Sequence, residues 1–269
     1  MKNKMPAIQI ENLRKVYSSG NEDVLAIQDV SLDIPEGKFV SIVGPSGCGK
    51  STFLHIVGGF IQKTAGTVRI RGKEVEKPGP DRGMMFQESA LFPWKNVFDN
   101  VAWGLEVQGV PKAKRKEIVE GFLKLVRLWE FRNHLPSQLS GGMRQRVSLA
   151  RVLAFNPDVL LMDEPFGALD AQTREEMQVE LQRIWSESQK SVLFVTHDIE
   201  EAVFLSDRVI VFSGRPATIT EIIDIKFDRP RDLSLYKSSQ FRDYRNHIWD
   251  LLHEEHHKPV TSTSEVVNG

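Results

Sequence analysis

Residues 44–52 read Gly44-Pro45-Ser46-Gly47-Cys48-Gly49-Lys50-Ser51-Thr52 and fit the spacing G-x-x-x-x-G-K-[S/T]. They follow an apolar strand, FVSIVG at 39–44, and precede a helical run, which is the context the spacing needs. Glycines let the backbone wrap a phosphate without side-chain clash. The N–H groups of the turn and the start of the helix then point at the anion. Lys50 reaches the β- and γ-phosphates of a nucleotide, and the Ser51 hydroxyl is a ligand for Mg²⁺. The second half of such a site is an apolar strand ending in a carboxylate, and VLLMDE at 159–164 supplies it. Asp163 is placed to hold Mg²⁺ through water, and Glu164 to polarise an attacking water. Cys48, the one cysteine, stands two residues before Lys50. The field of the loop favours a reactive thiolate there; the other reading is a small residue whose side chain points away from the phosphates.

Positioning these groups requires strands that end where the chemistry is. VLLMDE and SVLFVTHD at 191–198 are continuous apolar runs ending in acids, the pattern of parallel strands covered on both faces. GMMFQ at 83–87 and DRVIVFSG at 207–214 read as further strands, and Met177, Leu181, Ile184 and Trp185 mark an amphipathic helix between two of them. Residues 7–40 read as short strands punctuated by SSGN and PEG, and TVRIRG at 67–72 as a strand ending in a turn. The stretch 111–155 is helical in pattern, with Pro111 near its start. Phe241, Tyr244, Ile248, Leu251 and Leu252 suit one docked helix, followed by a polar, mobile tail. A metal reading of His253, His256 and His257 is set aside, because such a tail cannot hold ligands in fixed geometry.

At 269 residues the chain is one large domain or two small ones. The 41% hydrophobic and 26% charged composition excludes wholesale disorder, collagen and coiled coil. Lys+Arg 35 against Asp+Glu 36 leaves a net charge of -1, so no basic surface for nucleic acid is expected. One cysteine allows no intramolecular disulfide and fits a reducing compartment. The longest apolar run is four residues, against the roughly 18 a spanning helix needs. The first fifteen residues also lack the apolar stretch of a signal peptide, so a cytosolic chain is expected.

A phosphate loop serves kinases, GTPases and motors alike. Leu139-Ser140-Gly141-Gly142-Met143-Arg144-Gln145 narrows the reaction. It opens a helix with Met143, Val147, Ala150 and Leu153 on one face, which makes a second anion-binding helix N-terminus with Ser140 as its cap. This stretch resembles the signature loop of ABC-type ATPases. The resemblance extends over roughly residues 8 to 225. It implies an α/β fold, a P-loop NTPase (ABC ATPase) core with an antiparallel β subdomain and a helical signature subdomain. The ATPase domain is then expected over 1–230, with its helical subdomain at about 88–157, and 231–269 as a short helical extension and flexible tail.

The resemblance also implies roles. ATP and Mg²⁺ are the expected cofactors, and the signature loop of one subunit, through Ser140 and Gly142, closes on the γ-phosphate held by the phosphate loop of the other. Tyr17 matches the aromatic that stacks on adenine. Gln87 matches the glutamine that senses Mg²⁺ and the attacking water. Gly167-Ala168-Leu169-Asp170 matches the loop that crosses the dimer seam, and His197 the switch histidine that contacts the γ-phosphate. Met143 stands where the wider family most often has Gln. The Met143-Arg144-Gln145 ending, with Glu88-Ser89-Ala90-Leu91-Phe92-Pro93-Trp94 after Gln87, is similar to the nitrate/sulfonate/taurine branch of importers.

The region Leu91–Val97 matches the site that receives a coupling helix of the membrane subunit; some of these apolar groups equally suit a helical core. The expected assembly is a homodimer of ATPase subunits on integral membrane permease subunits, at the cytoplasmic face of the cell membrane. A separate substrate-binding protein feeds it, and nucleic acid takes no part. The cargo stays open between a small anion and a different solute such as a polyamine or sugar, because the ATPase never touches it. A soluble ABC ATPase of DNA repair or translation usually has two cassettes or an insertion. A small-molecule kinase would not need the Leu139–Gln145 loop, and an inactive module would be expected to lose Glu164 or His197.

Overall fold

The computed structural model describes residues 5–19 and 22–256. Strands β1 (Ile8–Ser19) and β2 (Glu22–Ile34) pair antiparallel, from Ile8 opposite Ile34 to Ser19 opposite Glu22. The sequence suggests several short strands here, and the structure joins them into two long ones. Asn12 and Asp29 take left-handed backbone (φ 49° and 50°), and the register shifts between Ile10 and Val16. Such bulges break the alternation in sequence without ending the strand. β3 (Phe39–Val43) runs into the phosphate loop and helix α1 (Lys50–Gly58). β4 (Ala65–Ile70) pairs with β1, and a tight turn at Arg71-Gly72 leads to β5 (Lys73–Glu74), closing a four-stranded sheet β2-β1-β4-β5.

The second sheet begins with β6 (Arg82–Met85). Helices α2 (Val97–Val107), α3 (Lys112–Leu125) and α4 (Gly141–Phe155) follow. The helical pattern of 111–155 is therefore not one stretch. It breaks after Leu125, where Arg127 takes left-handed backbone (φ 57°), and passes through 3-10 turns at Trp129–Phe131 and Pro136–Gln138 before α4. Then come β7 (Val159–Asp163), α5 (Ala171–Ser188), β8 (Ser191–Val195), α6 (Ile199–Leu205), β9 (Arg208–Phe212) and β10 (Ile219–Asp224). A 3-10 turn Leu233–Lys237 and α7 (Ser239–His256) end the described chain. The tail expected after α7 lies outside the described residues.

The order β10-β9-β3-β8-β7-β6 decides where chemistry can occur. β3, β8, β7 and β6 are contiguous and parallel, so their carboxyl ends share one edge. In open parallel sheets, ligands bind in the crevice at that edge. Every residue of β3, β7 and β8 is buried, which explains their continuous apolar runs. One face of the sheet packs Leu161, Val195 and Ile210 against Phe53 and Val57 of α1 and against Ile8 and Ile34 of the first sheet. The other face packs Phe39, Met162 and Phe194 against Leu181 and Trp185 of α5 and Phe241 and Ile248 of α7. A third apolar cluster holds α2, α3 and α4 together, through Val101, Leu105, Val119, Leu123, Val147 and Ala150. No helix among the described residues is long and apolar enough to cross a membrane.

Candidate active site

The loops after β3, β6, β7 and β8 meet over one open cavity of about 770 Å³. Its walls include Tyr17, Ser46, Gly47, Gly49, Lys50, Ser51, Thr52, Gln87, Glu164 and His197. The phosphate loop is shaped by backbone that side chains disfavour. Gly49 has φ 121°, and a Cβ there would lie 3.0 Å from the Ala26 carbonyl oxygen. Helices α2, α4, α5 and α6 are capped by Asn96, Ser140, Asp170 and Asp198, but α1 has no side-chain cap and no acid in its first turn. The N–H groups of its first turn, which have no intrahelical acceptor, and the positive end of its dipole therefore face the cavity. Lys50 Nζ donates to the carbonyls of Gly44 at 2.7 Å and Pro45 at 2.9 Å, arched over the loop with its charge inside the phosphate cradle.

Two carboxylates stand opposite. Asp163 is buried at the end of β7, and Ser51 donates its hydroxyl to Asp163 Oδ1 at 3.0 Å. Burial pushes the Asp163 carboxyl above its usual range, and the Ser51 hydrogen bond only partly offsets this. His55 Nε2 lies 3.5 Å from the other carboxylate oxygen. A buried carboxylate beside a hydroxyl, with the Gln87 side chain nearby, is an oxygen-rich donor set of the kind a hard divalent cation takes. Glu164 is less buried, and its Oε2 accepts Gln87 Nε2 at 3.3 Å and lies 3.1 Å from His197 Nδ1. Of the expected trio, Gln87 and His197 thus both meet Glu164, with His197 exposed at the rim. The Tyr17 hydroxyl stands 3.4 Å from Thr52 Oγ1, and Lys15 Nζ lies 4.6 Å from the centre of its ring.

Comparison with known proteins decides between the enzyme classes that share such a loop. A family described as ABC transporter matches residues 27–167, more than half of the chain. The chain belongs to the ABC transporter ATP-binding family. It is 49% identical over 235 residues to a taurine import ATP-binding protein of Rhizobium johnstonii, covering 86% of this chain and 90% of that one. It is 44% identical to a nitrate import ATP-binding protein of Synechococcus elongatus, covering 89% of each. Among solved structures, a dimeric ATP-binding cassette in a post-hydrolysis state, bound to ADP and phosphate, superimposes with a TM-score of 0.76 at 35% identity. It covers 82% of this chain and all of that one.

This ABC ATPase binds and hydrolyses ATP, yet the expected nucleotide contacts outside the phosphate loop and Tyr17, namely Ser140, Gly142 and Asp170, do not line its own cavity. Ser140 caps α4, accepting Met143 N–H at 3.2 Å, and Asp170 caps α5, accepting Thr173 N–H at 3.0 Å. That bond holds the Asp170 carboxyl below its usual range. Gly142 sits against the same loop as Asp170: a Cβ on it would lie 3.2 Å from Leu169 Cδ2. The two segments form one surface, apart from Lys50.

Of the two readings of Cys48, the structure favours the small residue turned away from the phosphates. Its side chain is 1% exposed and belongs to the apolar core beneath the loop, with Phe53 and Phe212. Burial pushes its thiol up, against a smaller opposing pull from the Lys50 ammonium. A maleimide at neutral pH is therefore expected to label Cys48 more slowly than a free thiol, at the same rate with and without Mg-ATP. Mass spectrometry of the time course checks this, and nucleotide protection would restore the thiolate reading.

The sequence did not point to three residues that also line the cavity, Val24, Ala26 and Arg215. Val24 lies opposite Tyr17 in the β1–β2 register, so only the pairing brings it there. Arg215 follows β9 and donates to the Gly47 carbonyl at 3.0 Å across 168 positions of sequence. No local pattern marks it.

Proposed function

We propose that this ATPase powers uptake of a small anion of the nitrate/sulfonate/taurine class through separate membrane permease subunits. It acts as a homodimer at the cytoplasmic face, fed by a separate substrate-binding protein. The supporting observation is the joining of two features by Gln87. On one side lies the phosphate cavity. On the other, the strand and loop around Gln87 border an apolar groove of about 410 Å³, lined by Phe60, Met84, Phe86, Phe92, Trp103 and Phe155. Phe60 and Trp103 are 46% and 42% exposed, more than a core would leave them. A groove of this kind takes the apolar face of a partner helix. The names of the taurine and nitrate relatives favour the small-anion cargo.

In this reading the loop N–H groups and Lys50 bind the β- and γ-phosphates, and Tyr17 and Arg215 flank the rest of the nucleotide. Ser51 and Asp163 would hold Mg²⁺, with the Gln87 amide beside them; the ion neutralises phosphate charge when bound. Glu164 orients a water and takes its proton as the water oxygen attacks the γ-phosphorus, and ADP leaves with the bridging oxygen. His197, against Glu164 Oε2, contacts the γ-phosphate from the β8 side.

The groove links this cycle to transport. Helix α4 braces the loop after Gln87: Gln145 Nε2 reaches the Gln87 carbonyl at 3.4 Å, and Arg151 the carbonyls of Ala90 and Ser89 at 3.0 and 3.3 Å. A change at the γ-phosphate thus has a mechanical path to the groove. The test is co-expression with candidate permease subunits from the neighbouring reading frames, followed by purification and reconstitution in liposomes. Wild-type chain is expected to co-purify with the permease, and hydrolysis to rise when a binding protein loaded with taurine, nitrate or a sulfonate is added. Phe60→Asp with Trp103→Asp is expected to abolish co-purification while ATP binding persists. Co-purification of that variant at wild-type yield would remove the groove from the interface, and stimulation by sugar or polyamine alone would replace the cargo.

A further inference from the structure

Behind the His197 turn runs a buried hydrogen-bond chain that the hydrolysis scheme does not use. Thr196, the residue before His197, donates its hydroxyl to Glu201 Oε2. The same hydroxyl oxygen accepts the backbone N–H of Asp198, the residue after His197, at 3.0 Å. One side chain therefore braces the turn on both sides of the histidine. Glu201 is 4% exposed, and its other oxygen, Oε1, accepts Gln178 Nε2 of α5 at 3.0 Å. Gln178 Oε1 in turn accepts the phenol of Tyr236 at 3.2 Å. Tyr236 lies in the 3-10 turn Leu233–Lys237; its ring stacks on Phe204 with centroids 5.1 Å apart and meets Phe241 of α7 in a tilted contact at 4.8 Å.

The carboxyl at position 201 is held at an energetic cost. Burial lifts its pKa to about 7, against the opposing effect of the two hydrogen bonds it accepts. An apolar side chain would fill such a place without a desolvation penalty. Glu201 also lines a small cavity together with Glu164 and His197. The carboxyl thus sits one layer behind the reacting groups, bonded to the turn that presents one of them.

We propose that Glu201 is a positioning residue for hydrolysis. It clamps the turn that carries His197 and, through Gln178 and Tyr236, ties that turn to the C-terminal segment. The proposal rests on the reading that His197 contacts the reacting phosphate. Its physical content is a separation of effects. Nucleotide is anchored by the phosphate loop and Lys50, on β3 and α1, whereas Glu201 acts on the β8–α6 turn. A misplaced His197 costs rate in the chemical step and leaves ground-state binding alone.

The experiment uses the full chain and near-isosteric variants, with kcat expressed per bound ATP so that unfolded protein is not counted. Glu201→Gln keeps the volume but cannot accept from Thr196 and Gln178 with both of its terminal atoms. It is expected to lower kcat about tenfold or more, with KM for ATP within about twofold of wild type. Tyr236→Phe keeps the ring contacts and loses only the hydroxyl, and is expected to lower kcat about threefold in the same way. Because the two share one chain of bonds, the double variant should lose less than the product of the single losses. A merely structural role would lower the melting temperature and leave kcat per bound ATP unchanged, which overturns the proposal, as does a loss confined to KM. Multiplicative losses overturn the Tyr236 link. His197→Ala is the control: wild-type turnover in that variant overturns the underlying reading, whereas a loss there with an intact Glu201→Gln overturns this proposal alone.

Discussion

Glu164→Gln lowers ATP turnover by on the order of 10²–10⁴ while ATP binding is retained, the usual worth of a positioned acid–base group. Glutamine matches glutamate in size and can still meet Gln87 and His197, but an amide cannot take a proton from the attacking water. The backbone places this side chain deliberately. Glu164 has φ 45°, in the left-handed region that non-glycine residues seldom adopt. It is fixed there by its N–H on the Val195 carbonyl at 2.9 Å and by its own carbonyl, which accepts Gly167 N–H at 3.2 Å. Strained backbone held by its surroundings is common where a side chain must be aimed. Lys50 and the uncapped start of α1 lie on other elements, so affinity for ATP should persist. Without hydrolysis, ATP should hold two copies together as a long-lived dimer. Steady-state hydrolysis, equilibrium binding of ATP and size-exclusion chromatography check the three parts. Turnover at the wild-type rate would place the base elsewhere.

Much of this site is legible in the sequence because each part of it is local. A glycine-rich turn between an apolar strand and a helix announces itself within nine residues, and Asp163, Glu164 and His197 each close a continuous apolar run. What brings those runs together is the strand order, and no single segment carries that. Gln87 lies just past the short strand β6, which ends at Met85 and whose partner, β7, lies some seventy residues further on. The parts that were not legible depend on long-range contact. β10 has exposed and half-buried residues on an edge of the sheet, so Ile219–Asp224 shows no apolar run. α2 is anchored by the buried Asn100, which bonds the carbonyls of Phe92, Lys95 and Asn96, an arrangement of polar groups that hydrophobic periodicity does not report. The thiol of Cys48 was ambiguous because the loop's field and the core beneath it act in opposite directions, and only the burial decides between them. Glu201 reads in sequence as one more acid on a short helix until Thr196, Gln178 and Tyr236 are seen around it.

Mixing Lys50→Ala chains with Ser140→Arg chains restores hydrolysis that neither variant shows alone. The reason lies in what one chain leaves unfinished. It carries two helix N-termini suited to a phosphate, α1 at Lys50 and α4 capped by Ser140, and only the first lines its own cavity. Gly142 and Leu169 are packed on each other, and Arg174 joins the Leu169 carbonyl at 3.1 Å to Asp198 at 3.7 Å. The signature segment, the Asp170 loop and the His197 turn are thus joined by direct contacts. A two-fold pairing that lays this surface on a second copy builds two identical sites, each with Lys50 from one chain and Ser140 from the other. The related cassette with ADP and phosphate is a dimer, in keeping with that arrangement. Lys50→Ala removes the cation from one half of a site, and Ser140→Arg fills the other half with a bulky side chain. In a heterodimer both lesions fall in the same site and the second site carries neither. An equal mixture is half heterodimer with one sound site in two, so about a quarter of wild-type turnover is expected by symmetry. Purification on two different tags, one per variant, isolates the heterodimer, whose turnover should be about half that of wild type on the same symmetry count. Silence of that purified species would count against the trans arrangement, unless the two sites must fire together.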